Sequence, residues 1–392
     1  MKKYIKDTFE TSFVNKYGIA SYCDYHPKSN VSDIEKIDEE DYRNILSGSL
    51  VYVVSSALKD WFKKIYPELV KKNRQIILVT GDSIINSPLQ SSNLNINEFM
   101  KLKNQGIIYH WFCQNCDIDL PEYVSPIPVG IDYHTIHKSR YWGEYKTHYI
   151  LQDIYLNLIG RKKFEDFHER KNNLFCDIHL NKNIFQNKAL KDRNEFYLKS
   201  LNLENTFYLK KKVSRLDYWK KMRSAKFIGS PRGFGEDCHR TWEALSLGVV
   251  PIIKYSKINI LFDNLPVIII KSFNELNNDL LNNYKLPNNL NLESLTLQYW
   301  QNIISDKKLK LINKLNLHSR YHSKKQKQIN SINLNKNFFM VLFYNLRNNK
   351  SLLIAIIYSI LKKLFLPYSL LKFFKNILLR AEHYLLKNKH HM

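Results

Sequence analysis

Glycine and proline are scarce, with eleven of each in 392 residues. Collagen-like and Pro/Gly-rich disordered architectures need several times that share, so both are excluded. Cysteine is scarcer still. Five are scattered along the chain, an odd number that argues against a disulfide scaffold and for a reducing compartment. No apolar stretch follows Met1-Lys2-Lys3 before Asp7 and Glu10, so no secretory signal is visible and a cytoplasmic location is expected. The longest apolar run, 351–361, stops at Lys362-Lys363, too short to span a bilayer. Acidic residues are also in deficit, 36 against 60 Lys and Arg, for a formal charge of +24. From Trp300 onward, 18 Lys and Arg face only Asp306 and Glu382. That asymmetry predicts a nearly ordinary body with a basic tail, and an anionic partner.

What is present is 44% hydrophobic, enough for a core in each of two domains. Runs at 50–54, 75–80 and 106–112 predict buried strands, followed by an extended segment at 125–130. Trp61, Phe62, Ile65, Tyr66 and Leu69, three or four apart, predict one helix between the first two strands. After residue 150 the pattern restarts, with strands at 173–178, 207–209, 226–229, 249–253 and 267–270 and helices over 188–201, 216–222 and 237–247. This alternation predicts an α/β chain with parallel sheets and crossover helices. Two Rossmann-like doubly wound domains are expected, 1–150 and 151–299, with a basic, partly amphipathic helical tail over 300–392.

Four glycines, Gly229, Gly233, Gly235 and Gly248, fall within twenty residues. They frame a strand, a loop Ser230-Pro231-Arg232-Gly233-Phe234-Gly235, a helix and a further strand. Such a loop offers bare N–H groups and the positive end of a helix dipole to an anion, phosphate above all. Asp237 is the expected N-cap, with Cys238, Trp242, Leu245 and Val249 on the core face. His239, Arg240 and Glu243 are three or four apart and project together on or beside the opposite face. Arg240 would hold a diphosphate and Glu243 two vicinal ribose hydroxyls; the plain alternative is a surface Arg–Glu pair. Neither a P-loop Gly-Lys-Ser/Thr nor G-x-G-x-x-G is present, so simple ATPase and dehydrogenase assignments fail.

Ser230-Pro231-Arg232-Gly233, His239-Arg240-Thr241-Trp242-Glu243-Ala244-Leu245 and Gly248-Val249-Val250-Pro251 together resemble the donor-site signature of exostosin-like glycosyltransferases. The close match covers 226–253. A looser likeness to glycosyltransferase-like proteins runs through Thr80-Gly81-Asp82-Ser83 and 111–115 to 128–134. The resemblance implies the GT-B architecture, two Rossmann-like domains facing a cleft. It also implies a nucleotide-diphosphate sugar donor, UDP-linked in the leading form, and a glycan or glycolipid acceptor. Ser230, Arg232, Gly233, Gly235, His239, Arg240 and Glu243 are then the donor-binding residues, with Arg240 at the phosphates and Glu243 at the ribose. No tightly bound cofactor and no metal are expected.

An inverting transferase needs a general base at a strand end of the first domain. Asp82 is the first choice, with Asp132 and His134 as rivals; the bland reading of Asp82 is a helix cap. Arg232 either neutralises the leaving diphosphate or braces its own loop. Cys113-x-x-Cys116 is a poor zinc or redox site, and Cys23, Cys176 and Cys238 offer no second ligand pair of the kind zinc needs. The basic segment 336–392 carries apolar residues between its lysines and resembles a helix pair lying on an anionic membrane surface, hence a peripheral membrane protein. A hairpin packed on the body or an oligomer contact are its alternatives. Two other function classes stay open: a catalytically inactive nucleotide-sugar-fold module at a membrane, and a basic nucleic-acid-binding protein, although zinc-finger and RRM signatures are missing and no nucleic-acid partner is expected.

Overall fold

A computed structural model describes residues 11–28, 34–133, 140–141, 144–145, 149–178, 187–209, 211, 213–233 and 235–316. The chain divides into a unit of Met1–Leu317 and a second of His318–Met392, and the described residues lie in the first. His134 and the basic segment 336–392 lie outside the described residues.

The strands are β1 Leu50–Val54, β2 Ile76–Gly81, β3 Ile108–Cys113, β4 Val124–Pro126, β5 Arg140–Tyr141, β6 Glu144–Tyr145, β7 Asn172–Cys176, β8 Thr206–Tyr208, β9 Ala225–Gly229, β10 Val250–Lys254 and β11 Ile268–Ile270. The α-helices are α1 Lys16–Tyr22, α2 Leu58–Lys64, α3 Tyr66–Lys71, α4 Leu89–Ser92, α5 Ile96–Gln105, α6 Tyr149–Ile159, α7 Asn187–Ser200, α8 Arg215–Arg223, α9 His239–Ser246, α10 Asn278–Asn282 and α11 Leu297–Lys314. They build a mixed α/β body on two all-parallel sheets, ordered β1-β2-β3-β4 and β11-β10-β9-β7-β8, with β5 and β6 as a separate antiparallel pair.

Every residue of β1 and β2 is buried, which is why these strands read as continuous apolar runs: a parallel sheet covered on both faces has no polar side. Leu50 pairs with Ile77, and the register holds to Val54 on Gly81. The single helix expected around Trp61 to Leu69 is instead two, α2 and α3. Pro67 sits in the first turn of the second, and a proline inside one continuous helix would remove an N–H and clash with the carbonyl four residues back. Helix α5 ends where its sequence says it should: Asn95 and Glu98 close a capping box and Gly106 takes a left-handed cap.

Helix α11 runs across residue 300 and packs on α1, β2 and β3, so the chain returns to the first sheet after completing the second. Val14 N–H donates to the Leu295 carbonyl at 3.0 Å beside this return. On the crossover helix α6, Asp153 accepts from the Ser12 N–H and hydroxyl and from the Tyr133 hydroxyl at 2.6 Å. Among the described residues no helix is long and apolar enough to cross a membrane.

Candidate functional site

Across the second sheet the strands lie in the order β8-β7-β9-β10-β11: the chain leaves β7 to one side for β8, then returns past it to lay β9 on the other. The connections that follow β7 and β9 therefore depart in opposite directions, and it is outside the carboxyl ends of the strands at such a point that open α/β sheets bind ligands. Arg193, on the helix after β7, and Arg240, on the helix after β9, lie near enough for the Arg240 charge to act on Arg193. Arg193 is buried, its Nε donates to the Arg232 carbonyl at 3.2 Å, and its Nη2 would lie 3.8 Å from a Cβ on Gly233. The Pro-Arg-Gly loop thus folds over the Arg193 guanidinium. Burial and the Arg240 charge push Arg193 down to about 10, still a cation at neutral pH. Burial also works against Arg240, but Tyr218, Cys238 and Asp177 beside it outweigh that and hold its pKa up. Asp177 already acts on both charges, and two like charges brought together favour a further anion beside them.

The other donor-side expectations fare differently. Arg232 pairs with Asp192 at 2.5 Å and Glu236 at 2.7 Å, and Lys254 joins Asp192 at 3.0 Å. This network braces the loop, the second of the two roles expected for Arg232, and leaves the guanidinium already neutralised. The Ser230 hydroxyl is buried against that of Thr241 at 2.9 Å, a tie between loop and helix. Glu243 is buried too. Its oxygens accept from Arg215 Nη2 at 2.8 Å and Trp219 Nε1 at 3.0 Å, so it faces inward, not onto the exposed side of α9 as its spacing suggested. Helix α9 is covered from Thr241 to Ser246, and helical spacing alone says nothing about a second layer packed over a polar face.

Asp237 is likewise not the N-cap. That position is Cys238, without a side-chain cap. Asp237 reaches instead to the first sheet. Its carboxylate accepts from the Val129 N–H at 2.8 Å, from the Cys238 N–H at 2.8 Å and from Trp242 Nε1 at 2.9 Å, while its own N–H donates to Asn115 Oδ1 at 3.0 Å. Burial pushes its pKa up to about 6, with the donors pulling it back. Gly235 is required at this crossing: a Cβ there would fall 2.6 Å from the Asn115 amide. His239 Nδ1 lies 2.7 Å from the Gly130 carbonyl, which can only accept, so that nitrogen carries the proton. The loop read as a phosphate cradle is thus partly a joint between the two sheets.

The first sheet presents its own carboxyl ends to this joint. Asp82 follows β2 with φ at 54°, its N–H held by Gln114 Oε1 at 2.7 Å. Its carboxylate pairs with Lys16 at 2.5 Å, the two side chains 10% and 11% exposed. Burial alone would lower the Lys16 pKa, but the carboxylates of Asp82 and Asp132 override it and hold the ammonium charged. Asp82 and Asp132 are thereby brought together around one cation, and Asp82 is no helix cap. The Asp132 carbonyl accepts from Arg215 Nη2 at 2.5 Å, so one guanidinium spans Asp132 and Glu243 while lying 4.6 Å over the Trp219 ring. Sequence reasoning missed Lys16, Arg193 and Arg215. Each sits on a helix whose charge looked like ordinary surface, and nothing local distinguishes them. No group of three or more His, Cys, Asp or Glu that could hold a metal occurs among the described residues. No protein-family model matches the chain, and no curated protein matches it.

Proposed function

We propose that the chain is a GT-B glycosyltransferase that moves a sugar from a nucleoside-diphosphate donor, UDP-linked in the leading form, to a hydroxyl of a glycan or glycolipid. The observation that carries this reading is the convergence of Arg193 and Arg240 at the reversal point of the second sheet. Leaving-group departure builds charge on the diphosphate, and preorganised guanidiniums are worth most at that moment. The exostosin-like motif over 226–253 and the two parallel sheets support the same reading. Across the joint, Asp82 and Asp132 supply carboxylates for the acceptor proton. Lys16 must shift off Asp82 before that group acts as a base, and Asp132, which acts on the same cation, is its rival. The acceptor oxygen then bonds to the sugar C1 as the C1–O bond to the diphosphate breaks, and the proton passes to the carboxylate.

The Lys16–Asp82 pair favours a second reading, a nucleotide-sugar binding module without turnover. A panel of nucleoside-diphosphate sugars, assayed for binding by thermal shift and for nucleoside-diphosphate release with and without glycan acceptors, separates the two. Release that fails in Arg240→Met supports the transferase; binding without release supports the module; no binding by any donor defeats both.

A further inference from the structure

Asp237 and His239, at the entry to α9, stitch the second sheet to consecutive residues of the first: Asp237 takes the Val129 N–H and His239 holds the Gly130 carbonyl. That carbonyl is fixed. Gly130 has φ at 67° and bridges to Asn15, a Cβ on it would run into the Val14 carbonyl, and the Ile131 N–H donates to the same Val14 carbonyl at 2.8 Å. The tie uses one ring nitrogen of His239, Nδ1, at 2.7 Å. In a neutral imidazole whose Nδ1 donates, Nε2 can only accept, and among the described residues nothing hydrogen-bonds Nε2. His239 is itself only partly buried. Its chain neighbour Arg240 acts on Arg193. Two residues beyond Gly130, Asp132 acts with Asp82 on Lys16, and Lys16 follows directly on the Val14-Asn15 segment that pins Gly130. The ring with the open nitrogen thus touches the carboxylate side of the site and adjoins its cationic side.

We infer that His239 Nε2 accepts a hydrogen bond from a hydroxyl of the sugar carried by the donor, so that His239 selects the sugar while its neighbour Arg240 meets the diphosphate. The inference rests on the donor-binding reading above. A nitrogen that only accepts needs a partner that donates, and ionised phosphate oxygens and the carboxylates of Asp82 and Asp132 are acceptors themselves. A sugar hydroxyl donates. The transferred sugar hangs from the phosphate remote from the nucleoside and has to reach the carboxylate side for transfer, the side to which His239 is tied. The ribose hangs from the other phosphate.

Two substitutions separate the ring nitrogens. His239→Asn keeps an N–H as many bonds from the Cα as Nδ1 and leaves nothing at the Nε2 position; His239→Gln sets an amide oxygen near that position and gives up the Gly130 bond. Calorimetry on the full chain at pH 8 measures UDP-glucose, UDP-galactose and UDP-N-acetylglucosamine, with UDP and inorganic pyrophosphate as comparators. His239→Asn should weaken the best-bound UDP-sugar about 3- to 10-fold, the worth of one neutral hydrogen bond, and shift UDP and pyrophosphate by less than about twofold. His239→Gln should lower the urea midpoint yet bring the UDP-sugar back to about the wild-type affinity. A deoxy form of that sugar lacking the recognised hydroxyl should bind wild type and His239→Asn alike. Unchanged UDP-sugar affinity in folded His239→Asn, or equal weakening of UDP, overturns the inference, as does an effect confined to the KM of a glycan acceptor. A wild type that binds neither UDP nor any UDP-sugar defeats the donor reading itself, and the inference with it. In the wild-type chain, labelling of His239 by diethyl pyrocarbonate, mapped by mass spectrometry, should be slowed more by the UDP-sugar than by UDP; equal protection overturns the inference even where His239→Asn does not fold.

Discussion

Arg193→Met removes one of the two guanidiniums at the sheet reversal and keeps an unbranched side chain in the hole. A charge-assisted hydrogen bond is worth about 1.5–3 kcal/mol, and about 1.4 kcal/mol is tenfold in affinity. Loss of one bond to a phosphate oxygen therefore weakens inorganic pyrophosphate about 10- to 100-fold. The free protein responds in the opposite sense. The variant loses the Nε bond to the Arg232 carbonyl, about 1 kcal/mol, and the attraction of Asp177 among the other interactions of this guanidinium, but it no longer buries a cation beside Arg240, the two causes that depress the Arg193 pKa. Stability without ligand should be held or raised, the signature of a group retained for binding at a cost to the fold. Arg193→Lys keeps the charge but not the planar fork and should fall between the two. Calorimetry with pyrophosphate and with UDP at one fixed ionic strength measures the binding arm, because exposed charges respond to salt; urea denaturation measures the other. A folded variant with lower stability and unchanged pyrophosphate affinity would show Arg193 to be a structural cation and refute the anion-site argument.

Arg215→Met should destabilise the protein by about 3–5 kcal/mol, because it strands the buried Glu243 carboxylate with Trp219 alone; adding Glu243→Gln should recover most of that loss, and simple additivity in denaturation experiments would mean the pair is not coupled. Asp237, raised to about 6 from 3.8, binds a proton more tightly folded than unfolded, so its contribution is complete below pH 3.8 and is lost as pH rises through 6. The loss is about 3 kcal/mol in all, and Asp237→Asn should flatten the stability profile in that window; an unchanged profile rejects a buried, titrating Asp237. Gly248→Ala combines φ at 72° with a Cβ driven into the Lys163 carbonyl, and a loss of about 3 kcal/mol or insolubility is expected. A urea midpoint equal to wild type would show that the turn after α9 yields.

The strands were legible in the sequence because burial on both faces of a parallel sheet leaves an unbroken apolar run; 50–54 and 249–253 announce β1 and β10 within a residue. The glycine loop and the core face of α9 were legible for the same reason: Gly235 and Trp242 answer constraints that act on single positions. The break between α2 and α3 was local as well, written in Pro67. What only the tertiary structure decided is where polar groups point and whom they meet. The spacing of His239, Arg240 and Glu243 places them on a helix but cannot say that α8 lies over Glu243, or that Arg215 and Trp219 occupy its oxygens. Lys16 and Asp82 are 66 positions apart, and Arg193 and Arg240 meet only because β9 is laid beside β7 on the side away from β8. Strand order is set by how whole layers pack, a sum over many weak contacts with no short-range signature, and it is that order which brings scattered charges to one end of the sheet.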